Sequence, residues 1–211
     1  MASEAKWCRS LPEWIETYDG WLRRMDGQDI ADISVFLDFR LVRGDATLVG
    51  ELRRHVHETL PDQRGVQYLL ARNALAFRPP LRLPGNIYLG GAAESSGRFD
   101  LKDALQPIVA FARVYAERQR IVATHTMERI NALADRELLP AGRREEIADA
   151  YDFLMGLRLA TQLEDIRAGR EPTSVVELAA LTSIQRELLR GSFAAIADVQ
   201  KTAEREFPEV A

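Results

Sequence analysis

The chain has 211 residues, 46% of them hydrophobic and 28% charged, an ordinary globular balance that can bury a core without disulfide staples. Its 28 Lys plus Arg against 32 Asp plus Glu leave a formal charge of −4, which excludes nucleic-acid binding by bulk charge. The lone Cys8 excludes an intramolecular disulfide and makes a reducing cytoplasm the expected compartment, and no window approaches the ~20 apolar residues of a membrane span.

Ser10-Leu11-Pro12-Glu13 reads as a helix start, with serine as cap, proline where a missing N–H is harmless and glutamate closing a capping box. Trp14, Tyr18, Trp21 and Leu22 then recur at helical spacing to about Met25, and Gly27 is the expected stop. A short helix from Ile30 to about Asp38 follows. Within it Ile33, Val35, Phe36 and Leu37 form an apolar run that Asp38 and Arg40 interrupt. Charges set against apolar surface are costly unless paired or bound, so this pair is either an internal ion pair or a site. Gly44-Asp45 closes the stretch as a turn and helix cap.

A helix from Asp45 to Glu58 carries Leu48, Leu52 and Val56 on one face, and Pro61 ends it. His55 and His57, two apart, fall on different faces and make a poor metal pair. Arg64 to Phe77 reads as helix. Pro79 to Phe99 is the one long irregular segment, dense in Pro, Gly and Ser, with Asn86 to Leu89 at most a short strand. Gly90-Gly91 lacks the lysine and helix start of a phosphate loop.

Asp100 caps a helix with a buried stripe through Leu101, Leu105, Ile108, Ala112 and Tyr115, which Pro107 should kink. Thr124 to Thr126 caps the next. Arg143 to Ala168 is apolar nearly all round and so is expected to be central, with Arg158, Gln162 and Asp165 sharing one face. Ser174 to Phe207 is the last helical region, with a break near Thr182. The expected fold class is therefore all-α, a helical bundle with one long Pro/Gly-rich loop.

Catalytic signals are sparse. No Ser-His-Asp order, paired Cys or His-Glu-x-x-His occurs, and of Asp38, Asp45, Asp100 and Asp103, which could hold Mg²⁺, two sit at helix caps. Arg120-Ile-Val-Ala-Thr-His125 resembles the short motif of helical HEPN ribonucleases, although its histidine falls in a turn.

Val35-Phe36-Leu37-Asp38-Phe39-Arg40 through Gly44-Asp45 resembles the nucleotidyltransferase substrate-binding domain found at the C-terminal end of bacterial signalling proteins. Ser10-Leu11-x-x-Trp14, Pro79-Pro80, Phe99-Asp100-Leu101-Lys102, Pro107-Ile108-Val109, Ala112-Arg113 and Arg158-Leu159-x-x-Gln162 follow in the family's order. The resemblance implies a chain preceded by cyclic-nucleotide-binding and CBS modules and by a catalytic domain related to PII uridylyltransferases. Residues 1–28 would be the edge of that catalytic domain with a connecting helix, and 29–211 the substrate-binding domain. NTP and Mg²⁺ would belong to the absent catalytic domain, so this chain carries no cofactor and no catalysis of its own.

Substrate contacts are expected at Asp38, Arg40, Asp45, Lys102, Arg158 and Gln162. Arg40, Lys102 and Arg158 would meet phosphate or an acidic acceptor, and Asp38 would orient an arginine or an acceptor hydroxyl. The competing reading for each is an ion pair that fixes helix register. Expected partners are the upstream domain, NTP and an acceptor; a homo-oligomer stays open. Two other functions also stay open, a helical interaction module in signal transduction and a HEPN-like ribonuclease.

Overall fold

A computed structural model describes residues 5–76, 81–82, 86–87 and 97–208. The described residues form eight α-helices with short 3₁₀ turns and two two-stranded antiparallel ribbons: an all-α bundle. In chain order the helices are α1 Leu11–Arg24, α2 Gly27–Phe36, α3 Ala46–Thr59, α4 Arg64–Ala76, α5 Leu101–Arg118, α6 Thr126–Asp135, α7 Arg143–Arg167 and α8 Ser183–Glu206.

Local capping sets most helix ends. The Glu13 carboxylate accepts from the Ser10 N–H and hydroxyl, both at 2.7 Å, and so starts α1. The end of α1 differs from the expectation. Met25 takes the left-handed conformation at φ 53° and stops the helix, while Asp26 caps α2 by accepting from the Asp29 N–H at 2.8 Å. Gly27 therefore opens α2 instead of ending α1, and α2 runs earlier than expected, from Gly27 to Phe36. Gly44 turns the chain at φ 118°, and Asp45 caps α3 through the Thr47 N–H at 2.8 Å.

The central helix is α5. It packs against α4, α6, α7 and α8, and its Ala104, Ala110, Ala112 and Ala116 let neighbours approach closely from several sides. The helix runs unbroken through Pro107. The expectation that Arg143 to Ala168 would be central is corrected: α7 buries Ile147, Ala150 and Leu154 but leaves Met155, Leu159, Leu163 and Ile166 exposed on its outer face. An apolar count around a helix does not say which faces find a partner.

Ser174 to Thr182 is also not α-helical: it holds a strand followed by one 3₁₀ turn at Leu178–Ala180. Val175–Glu177 (β4) pairs antiparallel with Arg98–Asp100 (β3), with Phe99 opposite Val176, tying the start of α5 to the segment after α7. The expected break at Thr182 is the true start of α8, where Thr182 and Gln185 exchange backbone and side-chain bonds at 2.9 and 3.2 Å. Thr182→Ala is expected to cost about 1 kcal/mol, seen as a lower urea midpoint with unchanged slope. Most of the segment Pro79 to Phe99, including Gly90-Gly91, lies outside the described residues. Within it Leu81–Arg82 (β1) pairs with Asn86–Ile87 (β2).

Candidate functional site

Asp38 follows the C-terminal end of α2, where the apolar run of that helix has just gone into the core with Ile33, Phe36 and Leu37. Two arginines from distant helices meet it. Arg113 of α5 binds its Oδ2 and donates to Ser34 Oγ at 2.6 Å. Arg129 of α6, 1% exposed, places Nη1 2.7 Å from Oδ1. Oδ1 has no hydrogen-bond partner among the described residues, so this contact is held by charge. Arg129 is fixed further by Nε to the Ala123 carbonyl at 2.8 Å and Nη2 to the Leu37 carbonyl at 3.3 Å.

One carboxylate does not balance two guanidinium groups. Glu117 of α5 lies 3% exposed in the field of Arg129, Arg53, Asp38 and Arg113. Burial nevertheless dominates and pushes its carboxyl up to about 7. His57 of α3 is pushed down by burial and then by Arg53, Arg120 and Arg129. Glu117 Oε2 and His57 Nδ1 are buried without a hydrogen-bond partner among the described residues. This polar hub therefore clamps α2, α3, α5 and α6 together.

Against the hub lies an open pocket of about 420 Å³ between α1, α2 and α3. Asp32, Val35, Phe36 and Phe39 present one wall at i, i+3, i+4 and i+7 spacing; Trp14 and Leu11 form the second, and Leu48, Val49 and Leu52 the third. Rings line it continuously: Trp7 stacks on Trp14 at 5.9 Å, Trp14 meets Phe36 at 5.1 Å, and Phe36 meets Phe39 at 5.0 Å. Val35 and Leu48 stay exposed at its mouth, and Asp38 stands at its edge. An apolar cleft with a few convergent polar groups has the character of a small-molecule site, and its volume lies within the roughly 300–1,000 Å³ of such sites.

The six residues expected to touch substrate fall into two groups. Asp38, Arg40 and Asp45 lie on and around the α2–α3 connection. Arg40 is exposed and makes no hydrogen bond or ion pair among the described residues, and it is not part of the pocket lining. Asp45 is exposed at its cap, where the Thr47 hydroxyl and then its N–H hold the carboxyl below the usual range.

Lys102, Arg158 and Gln162 belong to the β3–β4 corner. Arg158 Nε donates to Ser174 Oγ at 2.9 Å, and the Ser174 carbonyl accepts from Leu101, the neighbour of exposed Lys102. Gln162 follows one turn after Arg158, half-buried. Along α5 the distance from Leu101 at this corner to Arg113 at the hub is roughly 18 Å, so the corner and the hub are separate places on the helix.

Arg113, Glu117 and Arg129 are the site residues that the sequence did not single out. Arg113 was detectable as a charge inside an otherwise apolar stripe. Of the histidines, His55 binds Asp19 at 2.7 Å while His57 is buried apart from it. Arg120 turns its guanidinium to the His57 carbonyl at 3.1 Å, and His125 is the exposed residue before α6. Among the described residues no group of three His, Cys, Asp or Glu could hold a metal ion, and no helix is long and apolar enough to cross a membrane.

A family model described as "Putative nucleotidyltransferase substrate binding domain" matches residues 64–207. No curated protein and no solved structure matches the chain. The matched span holds Arg113, Glu117 and Arg129 together with the β3–β4 corner, and the aromatic pocket lies before it.

Proposed function

The chain belongs to the nucleotidyltransferase substrate-binding domain family, and from that premise we propose that it holds the acceptor in a uridylyltransferase-like reaction. The observation that supports this most is the clamp: Arg113 and Arg129, inside the matched span, fix Asp38 at the edge of the pocket. The pocket would hold the acceptor, and the hub would keep α2, which forms one of its walls, in register with α5 and α6. A separate catalytic domain would supply NTP and Mg²⁺. Arg40, Lys102 and Arg158 are proposed to face that domain or the phosphates it carries, as cations outside the apolar pocket.

Leu48→Arg places a guanidinium across the pocket mouth. In the protein joined to its catalytic domain, the substitution is expected to lower nucleotide transfer at least tenfold while NTP binding persists. Unchanged transfer from labelled NTP would refute the acceptor reading. The outer face of α7 favours a second reading, an interaction module, because Met155, Leu159, Leu163 and Ile166 are exposed along one stripe. Loss of a partner or of self-association on Leu159→Asp, with transfer intact, would mark that separate role.

A further inference from the structure

The acceptor reading leaves the chemistry of the ligand open, and the pocket restricts it. Its walls are aromatic and aliphatic side chains, and its charged groups are mostly spoken for. Arg9 donates from Nε to the Lys6 carbonyl and from Nη1 to Thr17 Oγ1, each at 2.7 Å, with its guanidinium over the Trp14 ring. Asp38 is committed to its two arginines. Asp32 is different: Oδ1 accepts from Gln28 Nε2 at 2.9 Å, and the carboxylate makes no other hydrogen bond among the described residues. It therefore offers accepting capacity at the edge of an aromatic slot.

Three ligand types can be weighed against this lining. A phosphate led into the slot would meet two carboxylates and an arginine already bound. An aliphatic chain would fill the volume but cover Asp32 without giving it a donor, which is costly. A planar ring with N–H donors on its edge satisfies both features at once, stacking on the indoles and donating to the carboxylate.

We propose that the pocket between α1, α2 and α3 is a binding site for an aminopurine nucleoside, its ring packed against Trp7, Trp14 and Phe39 and its N–H edge donating to Asp32. Guanosine suits it best, because its adjacent ring N–H and amino group match the two oxygens of one carboxylate. This rests on the pocket being the substrate site only in calling the nucleoside the acceptor; the binding itself stands apart.

Isothermal titration of the 211-residue chain with guanosine, and with inosine as the analogue lacking the exocyclic amine, tests it. Guanosine is expected to bind more tightly than inosine, since a site built for an N–H donor rejects the analogue without it. Trp7→Ala should weaken both by about 5- to 150-fold, the loss of one ring stack. Asp32→Asn should weaken guanosine strongly and inosine less, since inosine keeps the ring N–H donor to the carboxylate, and so should narrow the gap between the two. Leu48→Arg should abolish both while its circular dichroism melt stays that of the parent.

Absence of guanosine binding, equal affinity for the two nucleosides, or an unchanged affinity in Trp7→Ala would overturn the assignment. If guanosine fails to bind yet Leu48→Arg still stops transfer in the joined enzyme, the ring class is wrong and the substrate site remains. If guanosine binds and Leu48→Arg leaves transfer intact, the ring site remains and the acceptor reading falls.

Discussion

Glu117→Gln is expected to melt close to the parent protein at pH 5 and well above it at pH 8.5. Glu117 is 3% exposed, and burial outweighs the pull of Arg129 and Arg53, so its carboxyl rises from 4.5 to about 7. Between those two values the folded protein keeps a proton that the unfolded chain has released. Stability therefore falls as pH rises through that window and carries the full penalty above it. At about 1.4 kcal/mol per pH unit, the penalty approaches about 3 kcal/mol above pH 7. Glutamine imitates the neutral acid and removes the dependence.

His57 works in the opposite direction, because its lowered value makes the folded protein lose stability as pH falls below 6.5. Comparing variant with parent at each pH cancels that contribution. Each kcal/mol corresponds to roughly 2–4 °C in a chain of this size. Thermal melts at several pH values decide the matter: a variant less stable than the parent at pH 8.5 would mean that Arg53, Arg113 and Arg129 need the Glu117 charge.

The parts of the fold that were legible in the sequence are those decided within one turn of chain. Ser10 with Glu13, Asp45 and Asp100 cap where their side chains can reach the next free N–H groups. Non-local pairing was not legible. Val175-Val176 becomes a strand only because Arg98–Asp100 lies beside it, and nothing near Ser174 announces that partner. The left-handed Met25 was hidden for another reason, since glycine is the usual signal for such a stop and Gly27 stood two residues away.

For the site, Asp38 showed itself as a charge ending an apolar run. Its partners did not, because Arg113 lies 75 residues away and only the fold brings the two together. The aromatic pocket was hidden by an ambiguity of periodicity. Trp14, Tyr18 and Trp21 read as a core stripe, and Tyr18 and Trp21 are core, but Trp14 is only half-buried and turns its ring toward Trp7 and Phe36. Spacing identifies a face; it does not say whether that face is covered.

Asp38→Ala is expected to be the most damaging single change at the hub, and Arg40→Ala among the least, although the two residues lie two apart. Asp38 is the carboxylate that Arg113 and Arg129 share, and Arg129 is 1% exposed. Removing the acid strands both cations beside Arg53, whose guanidinium donates to the Phe39 carbonyl at 2.6 Å. Breaking a buried pair in this way costs roughly 3–5 kcal/mol, and the partial exposure of Asp38 places the expected loss near about 3. Asp38→Asn should lose nearly as much, since an amide keeps the shape but gives the arginines no charge.

Arg40 touches no acid among the described residues, so Arg40→Ala should stay within about 0.5 kcal/mol. Its proposed role would instead appear as reduced nucleotide transfer at an unchanged melting temperature. Urea titrations of the three variants give the comparison directly. A loss below about 1 kcal/mol in both Asp38 variants would show that the guanidinium groups find other partners, and that Asp38 stands at the pocket edge for its ligand and not for the fold.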